Sequence, residues 1–416
     1  MTPENCRLSK ANPAIVVVGF NRPKSIQRLL DSLTTAHFEA PVQLVISIDR
    51  SSSVENEKVI AVAKGFAWPH GEKRIILHEQ NLGLRQHILN CGDLTAQYGS
   101  VIVLEDDLTV AKDFYRYATQ ALKFVDSHEE IAGVSLYSHA TNVVARFPFV
   151  PLYDGYDNFY LQFASSWGQA WSTAQWEKFR HWYAQLSNVN DQPIDLENFR
   201  STNLTASPIP SDVPIPPNVL SWSNSSWLKY FIWYMVETNR YFLYPRHSMT
   251  TNYNECGTHS TRLSPIWQVP LAQRVEHWRF SLLSESLAVY DVFFELLPDR
   301  LRRCTTLFND YDFDVDLYGM KPMHLLKQPF VLTSKCHRGE PIKSFDLVRK
   351  PLEANFDSEI SVCQRAMFSL TKPQHLKQQI RLSFDSLSVV EYFYGLISLR
   401  TLAMNLIRYL WQKRVG

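Results

Sequence analysis

The sequence predicts an α/β protein: a mostly parallel sheet flanked by helices, followed by a largely helical C-terminal extension. Three observations predict it. From residue 14 to about 137, short runs rich in Val and Ile alternate with segments of helical spacing. Those runs are apolar throughout, as strands are when helices cover both faces of a parallel sheet. Near the C-terminus, polar residues recur at three- and four-residue steps, as on one stripe of a helix. A boundary is expected near residue 270, with 1–270 as the first domain and 271–416 as the extension.

The elements follow in order. "AIVVVGF" is the first strand. "PKSIQRLLDSL" is a helix with Ile26, Leu29, Leu30 and Leu33 on one face and Pro23 suited to its first turn. "VQLVISI" is a strand ending at Asp49, and a serine at 51–53 caps the helix "SVENEKVIAVAKGF". "KRIILHE" is the third strand. "GLRQHILNCGDLTAQYG" is a helix that Gly99 ends. "SVIVLEDD" is the fourth strand, "AKDFYRYATQALKFVDSH" its helix and "IAGVSLYS" the fifth strand. Beyond residue 138 the alternation stops. An aromatic stretch, 159–186, runs from strand through loop to helix, and the Pro-, Asn- and Ser-rich residues 186–220 read as a long surface loop. "SSWLKYFIWYMVETN" is an apolar helix, "YFLYP" a short strand, and "LAQRVEHWRFSLLSESLAVYDVFFELL" a further helix.

Composition bounds the function. A net charge of +1 gives no reason to expect a nucleic-acid partner. Aromatics reach 13%, which serves either a large core or a surface for pyranose rings; composition alone favours the core. Six scattered cysteines form no C-x-x-C pair, so reduced thiols in a cytosolic protein are the expectation. "MTPENCRLSK" has no apolar run of a signal peptide, and no stretch is long and apolar enough to span a membrane.

The chemistry concentrates in "VIVLEDDLTV". Ligands of open parallel sheets sit at the carboxyl ends of the strands. Asn21 and Arg22, Asp49 and Arg50, and Glu105, Asp106 and Asp107 all fall at such ends. Three adjacent acids repel, and a cation relieves that repulsion. Hard Mg²⁺ and Mn²⁺ take carboxylate and phosphate oxygens, often with only one or two protein carboxylates. Asp107 is the candidate ligand. The plainer reading is a solvated loop whose acids favour a helix N-terminus. "GFNRPKS" lacks the G-x-G-x-x-G fingerprint of a dinucleotide site, and the chain carries no P-loop lysine motif.

The order "IVVVGFNRP", "VISIDRS", "NLGLRQH", "VIVLEDDL…DFYRYATQAL" and "SSWGQAW" resembles the nucleotide-sugar domain of GT-A glycosyltransferases, in particular N-acetylglucosaminyltransferase I and its bacterial relatives, over about residues 13 to 262. The resemblance implies the Rossmann-like GT-A fold and an inverting, metal-dependent transfer from a nucleotide-diphosphate donor, UDP-sugar above all. It implies that Asp49 bonds the uracil ring, that Arg22 lies near the nucleotide, and that Glu105 and Asp106 contact sugar and ribose hydroxyls. Asp107 would bind Mn²⁺ or Mg²⁺. Arg85 and His87 either reach the nucleotide or are polar residues on a helix. Trp167 and Trp171 lie under donor and acceptor, or pack in the core. The spacing of Pro245, Ser248, Thr250, Gly257 and His259 resembles the family loop that orders over the donor, which would bring His259 to phosphate or metal.

One family feature is missing. Related enzymes carry an aspartate base just before a Trp-containing helix, where this chain reads "LSWSNSSWLKYF". Ser223 to Ser226, including Asn224, offer no base, and no carboxylate lies between Asp212 and Glu237. Asp212 in the preceding loop is the candidate, Glu237 the more distant one. The third option is a protein that binds nucleotide sugar without transferring it. A nucleotidyltransferase is a further rival, although only Arg22 and Lys24 are basic in the first turn. Glu391, Ser398, Thr401, Asn405, Arg408 and Gln412 form the polar stripe of the final helix, closed by Lys413 and Arg414. That helix either lies on a membrane surface, as would suit a lipid-linked saccharide acceptor, or packs on protein.

Overall fold

A computed structural model describes residues 12–189, 208–253, 265–357, 366–382 and 387–394. It divides the chain into two compact units, residues 1–139 with 153–294, and 140–152 with 295–416. The division therefore falls after Phe294, not near residue 270, and 140–152 join the second unit.

The first unit is built on a mixed, mostly parallel sheet with helices on its flanks. Its elements begin with β1 (Ala14–Gly19), α1 (Pro23–Thr34), β2 (Leu44–Ile48), α2 (Val54–Gly65), β3 (Lys73–Leu77), α3 (Gly83–Asp93), α4 (Thr95–Tyr98), β4 (Ser100–Glu105), β5 (Leu108–Val110), α5 (Phe114–Val125) and β6 (Ile131–Ser135). Then come β7 (Asn158–Leu161), β8 (Gln169–Ser172), α6 (Thr173–Val189), α7 (Pro217–Leu220), α8 (Trp227–Glu237), β9 (Tyr241–Pro245), β10 (Thr250–Asn252) and β11 (Val289–Tyr290). The sheet order is β11-β7-β9-β6-β8-β4-β1-β2-β3. Every residue of β1 and β2 is buried, as their unbroken apolar runs require. Parallel register aligns Val18 with Glu105 and Gly19 with Ile48. That alignment delivers the turns after β1, β2 and β4 to one edge of the sheet.

Local chemistry explains the elements. Ile26, Leu29, Leu30 and Leu33 bury the inner face of α1, with Pro23 in its first turn. The Ser53 side chain caps α2 by accepting from the Asn56 amide. Asn56 is fully buried, and its amide nitrogen donates to Phe20 O (2.5 Å) and Asp49 O (2.9 Å), tying the ends of β1 and β2 together. The expected helix over 83–99 divides into α3 and α4, and Gly99, at φ 79°, closes the second. Asp106 and Asp107 form a turn beyond β4, and "LTV" then pairs antiparallel with β10 (Thr250↔Val110, Asn252↔Leu108).

The helix expected over 271–297 is absent. Ser248 bridges to Leu271, the Arg279 amide donates to Asp157 Oδ2 (2.7 Å), and Ser281 donates to Asn158 Oδ1 (2.8 Å). Asp154 Oδ2 accepts from Ser286 Oγ (2.7 Å) and the Leu287 amide (3.0 Å), while Oδ1 pairs with Arg246 (2.7 Å). Polar side chains of 154–158 thus supply acceptors that a helix would take from its own carbonyls.

The second unit is not largely helical. Its described strands and α-helices are α9 (Pro298–Cys304), β12 (Phe313–Asp316), β13 (Phe330–Thr333), β14 (Lys335–His337), β15 (Lys343–Phe345), β16 (Phe368–Thr371), β17 (Leu376–Ile380) and α10 (Leu387–Tyr394), with short 3-10 turns between them. β12-β13-β16-β15 form one sheet and β14-β17 a ribbon. Strands win because "FDVD" and "FVLT" are short, β-branched and aromatic segments without helical spacing. Phe308, Phe345, Phe356 and Phe368 make the centre, with ring centroids 5.1–5.6 Å apart along the series. Of the predicted C-terminal helix, Leu387–Tyr394 is present as α10; the positions from Ser398 onward lie outside the described residues. Among the described residues no helix is long and apolar enough to cross a membrane, and Cys91 and Cys336 are free thiols.

Candidate functional site

The acids at the end of β4 are partnered from the turn after β1. Arg22 Nη1 donates to Asp107 Oδ2 (3.1 Å), and Nη2 donates to Asp106 Oδ1. One guanidinium therefore spans two neighbouring carboxylates. Burial works against the Arg22 charge, but Asp106 and Asp107 outweigh it and raise its pKa. The third acid behaves differently. Burial, then the Asp107 charge, pushes Glu105 up to about 8, against a smaller opposing pull from Arg22 and a hydrogen bond with Trp227. The raised pKa favours the protonated form of Glu105, which lessens the repulsion among three adjacent acids.

Two carboxylate oxygens in this corner, Glu105 Oε1 and Asp107 Oδ1, are buried without a hydrogen-bond partner. Buried acceptors are normally satisfied, so both atoms call for a donor or a cation. No group of three His, Cys, Asp or Glu side chains among the described residues forms a ready metal shell. The residues present do fit a hard cation that takes one or two carboxylates and completes its shell with water and phosphate. Asp107, the expected metal ligand, holds one of those oxygens.

Asp49 sits beside this corner at the end of β2. Its Oδ1 accepts from the amides of Arg50 (2.9 Å) and Leu82 (2.8 Å), and Oδ2 from Gly83 (3.0 Å). The carboxylate anchors the start of α3 through charge-assisted bonds and keeps one lone-pair direction on Oδ2. His87, on α3, is buried, with Nε2 2.8 Å from Ser47 Oγ. Burial, together with a smaller repulsion from His78, pushes its pKa down to about 4 despite the pull of Asp49.

Arg85 is engaged by the segment that leads into α8. Its Nη1 donates to Asn224 O (2.6 Å), and its guanidinium lies 5.2 Å from the Tyr230 ring centroid. The segment where a base was sought is held from both sides, because Lys229 Nζ donates to Leu220 O (2.9 Å), Trp222 O (2.9 Å) and Asn224 Oδ1 (3.1 Å). Burial pulls the Lys229 pKa down. Asp212 is exposed in the loop before α7. Trp171 is fully buried against Trp176 and Trp227. Trp167 is half-buried, its ring 4.7 Å from Tyr137 and 5.0 Å from Trp267. Gly257 and His259 lie outside the described residues.

Three participants were missed from sequence: Tyr253, Lys229 and Asn56. Tyr253 donates its amide to Asp107 O (3.1 Å) and carries Arg28 over its ring at 4.0 Å. Thr250 Oγ1 donates to Trp167 O (2.6 Å). β10 therefore links the acidic corner to the Trp167 segment. Lys229 and Asn56, polar residues on buried faces, were the signals available for the other two.

No family model matches this chain, and no curated protein does. Solved structures that resemble parts of it include S. aureus TarS 1–349 in complex with UDP, at 19% identity and TM-score 0.21 over 28% of this chain and 32% of that one. The mannosyltransferase PcManGT from Pyrobaculum calidifontis, in complex with GDP-Man and Mn²⁺, matches at 14% identity and TM-score 0.28 over 44% and 48%. Mouse xyloside xylosyltransferase 1, apo form, matches at 12% identity and TM-score 0.32 over 56% and 84%. The matches thus span about a third and a half of the first two structures. Such partial superpositions transfer no residue roles.

Proposed function

We propose that this protein is a metal-dependent glycosyltransferase. It would move a sugar from a nucleotide-diphosphate donor, UDP-sugar in the first place, to a saccharide acceptor, free or lipid-linked. The observation that carries this reading is the pair of buried, unpartnered oxygens on Glu105 and Asp107 at the carboxyl end of a parallel strand, with Arg22 and Asp49 beside them. The order of motifs shared with the GT-A enzymes supports it.

In this reading Asp107 would hold Mn²⁺ or Mg²⁺, which when bound neutralises the diphosphate and stabilises it as a leaving group. Asp49 orders the 81–83 turn and offers its remaining Oδ2 lone pair to the nucleobase. Asp106 faces sugar and ribose hydroxyls, and Trp167 gives an aromatic wall. The acceptor hydroxyl attacks the anomeric carbon, the bond from that carbon to the phosphate oxygen breaks, and the hydroxyl proton passes to a base. Asp212 is proposed as that base, and inversion as the stereochemical course.

The grip of Arg85 and Lys229 on Asn224 favours a second reading, binding without transfer, because it puts a fixed, uncharged segment where related enzymes carry their base. A thermal-shift panel of nucleotide sugars with and without Mn²⁺ tests the first reading: a donor should raise the melting temperature only when metal is present, and Asp107→Ala should abolish that rise. An unchanged response in Asp107→Ala removes the metal assignment. UDP release with and without acceptor separates transfer from binding.

A further inference from the structure

The acidic corner already contains a cation, and that cation is part of the protein. Arg22 precedes Pro23, and its carbonyl accepts the first-turn amide of α1 from Ile26 (3.1 Å), so its backbone is fixed where β1 passes into the helix. Its side chain is three-quarters shielded, at 25% exposure, and faces Asp106 and Asp107, which are 4% and 14% exposed. The fork bonds one oxygen of each carboxylate, leaving Asp107 Oδ1 without a protein partner. A divalent ion on Oδ1 and the guanidinium on Oδ2 would be like charges on a single carboxylate, in a partly desolvated setting where charges interact strongly.

We propose that Arg22 is a positioning residue that makes divalent-cation binding conditional on the nucleotide: as built-in counter-cation of Asp106 and Asp107, it weakens the site for metal alone. This inference rests on the metal-dependent reading above. A diphosphate brings the negative charge that lets ion and guanidinium coexist, so nucleotide and metal each tighten the other, as linkage requires. A plain ion pair that only stabilised the turn would leave metal affinity unchanged or reduce it when removed.

The test is a Mn²⁺ titration of the full chain, read by the electron paramagnetic resonance of free Mn²⁺ at constant ionic strength. Without nucleotide, Arg22→Met should bind Mn²⁺ at least tenfold more tightly than the parent, and Arg22→Lys should stay near the parent. UDP should tighten Mn²⁺ binding to the parent by a larger factor than to Arg22→Met. Arg22→Gln, which keeps hydrogen-bond donors without the charge, provides the same readout if the methionine variant does not fold. Adding Asp107→Asn to the neutral variant should erase its gain. Equal or weaker Mn²⁺ affinity in the neutral variants overturns the inference, while nucleotide-dependent Mn²⁺ binding by the parent would keep the functional reading intact. If neither parent nor variants bind Mn²⁺ even with UDP or GDP, the functional reading falls and the inference with it.

Discussion

At the scale of single residues, buried polar groups divide into those with a partner and those without. Asp49 belongs to the first kind, with three amides on its carboxylate. His139 belongs to the second. It is 4% exposed, boxed by Tyr137, Phe163, Trp167, Tyr244 and Phe294, and its Nε2 has no hydrogen-bond partner. Burial pushes its pKa down to about 3 from the ordinary 6.5. The unfolded chain protonates this imidazole below about 6.5, whereas the folded chain resists until far lower pH. The unfolded state thus binds more protons in that window, and stability falls as pH drops through it. At pH 5 the loss from this one group is about 2 kcal/mol relative to pH 7. His139→Phe, whose ring suits the aromatic box, should lose less stability than the parent between pH 7 and 5 by that order in urea titrations. Parallel pH profiles for the two proteins would show that His139 is not the source.

At the scale of elements, the joint between α3 and α6 shows how tightly the wall behind the site is built. Gly92 lies against the indole of Trp176, so that a Cβ there would overlap the ring, and Trp176 Nε1 donates to Asp93 Oδ1 (2.7 Å). Alanine would improve helix propensity by about 1 kcal/mol. Overpacking typically costs about 1–3 kcal/mol, and Trp176 is 1% exposed with no room to retreat, so the clash wins. Gly92→Ala should lower the urea midpoint, and Trp176→Phe in that background should recover part of the loss. Additive effects of the two substitutions would mean the residues do not press on each other. This contact was invisible in sequence, where Gly92 lies inside an expected helix and nothing marks Trp176 as its neighbour. β1, β2 and β4 were legible because burial on both faces writes a continuous apolar run. The segment 271–297 was misread because its apolar residues occur at helical intervals by composition, while Asp154, Asp157 and Asn158, more than a hundred positions earlier, determine its backbone. β5 and β10 are three residues each, too short for any periodicity to show.

At the scale of the whole molecule, the strand-end acids were legible and their charge balance was not. "EDD" at a strand end pointed to a candidate site, but that Arg22 would lie across Asp106 and Asp107, and that burial would raise the Glu105 pKa, depends on the register of β1 against β4. The second unit was misjudged from its final helix, although "FVLT" and "FSLT" already carried a strand signal. The two units also differ in a way that makes ligand binding observable. Ten of the eleven tryptophans lie between Trp68 and Trp278, in the first unit, and the other is Trp411. Tryptophan fluorescence therefore follows unfolding of the unit that carries the acids. A ligand at one hundred times its dissociation constant stabilises the folded state by about 2.7 kcal/mol if the unfolded chain does not bind it. UDP-sugar with Mn²⁺ at that level should move the tryptophan-monitored transition upward by several degrees, and chelation of the metal should return it to its starting point. The second unit has its own aromatic centre around Phe308, Phe345, Phe356 and Phe368. Amide hydrogen exchange at saturating donor should accordingly slow in β1, β4 and β5 while β13 and β16 keep their rates. Protection appearing first in β13 and β16 would place the nucleotide in the second unit and detach it from the acids of β4.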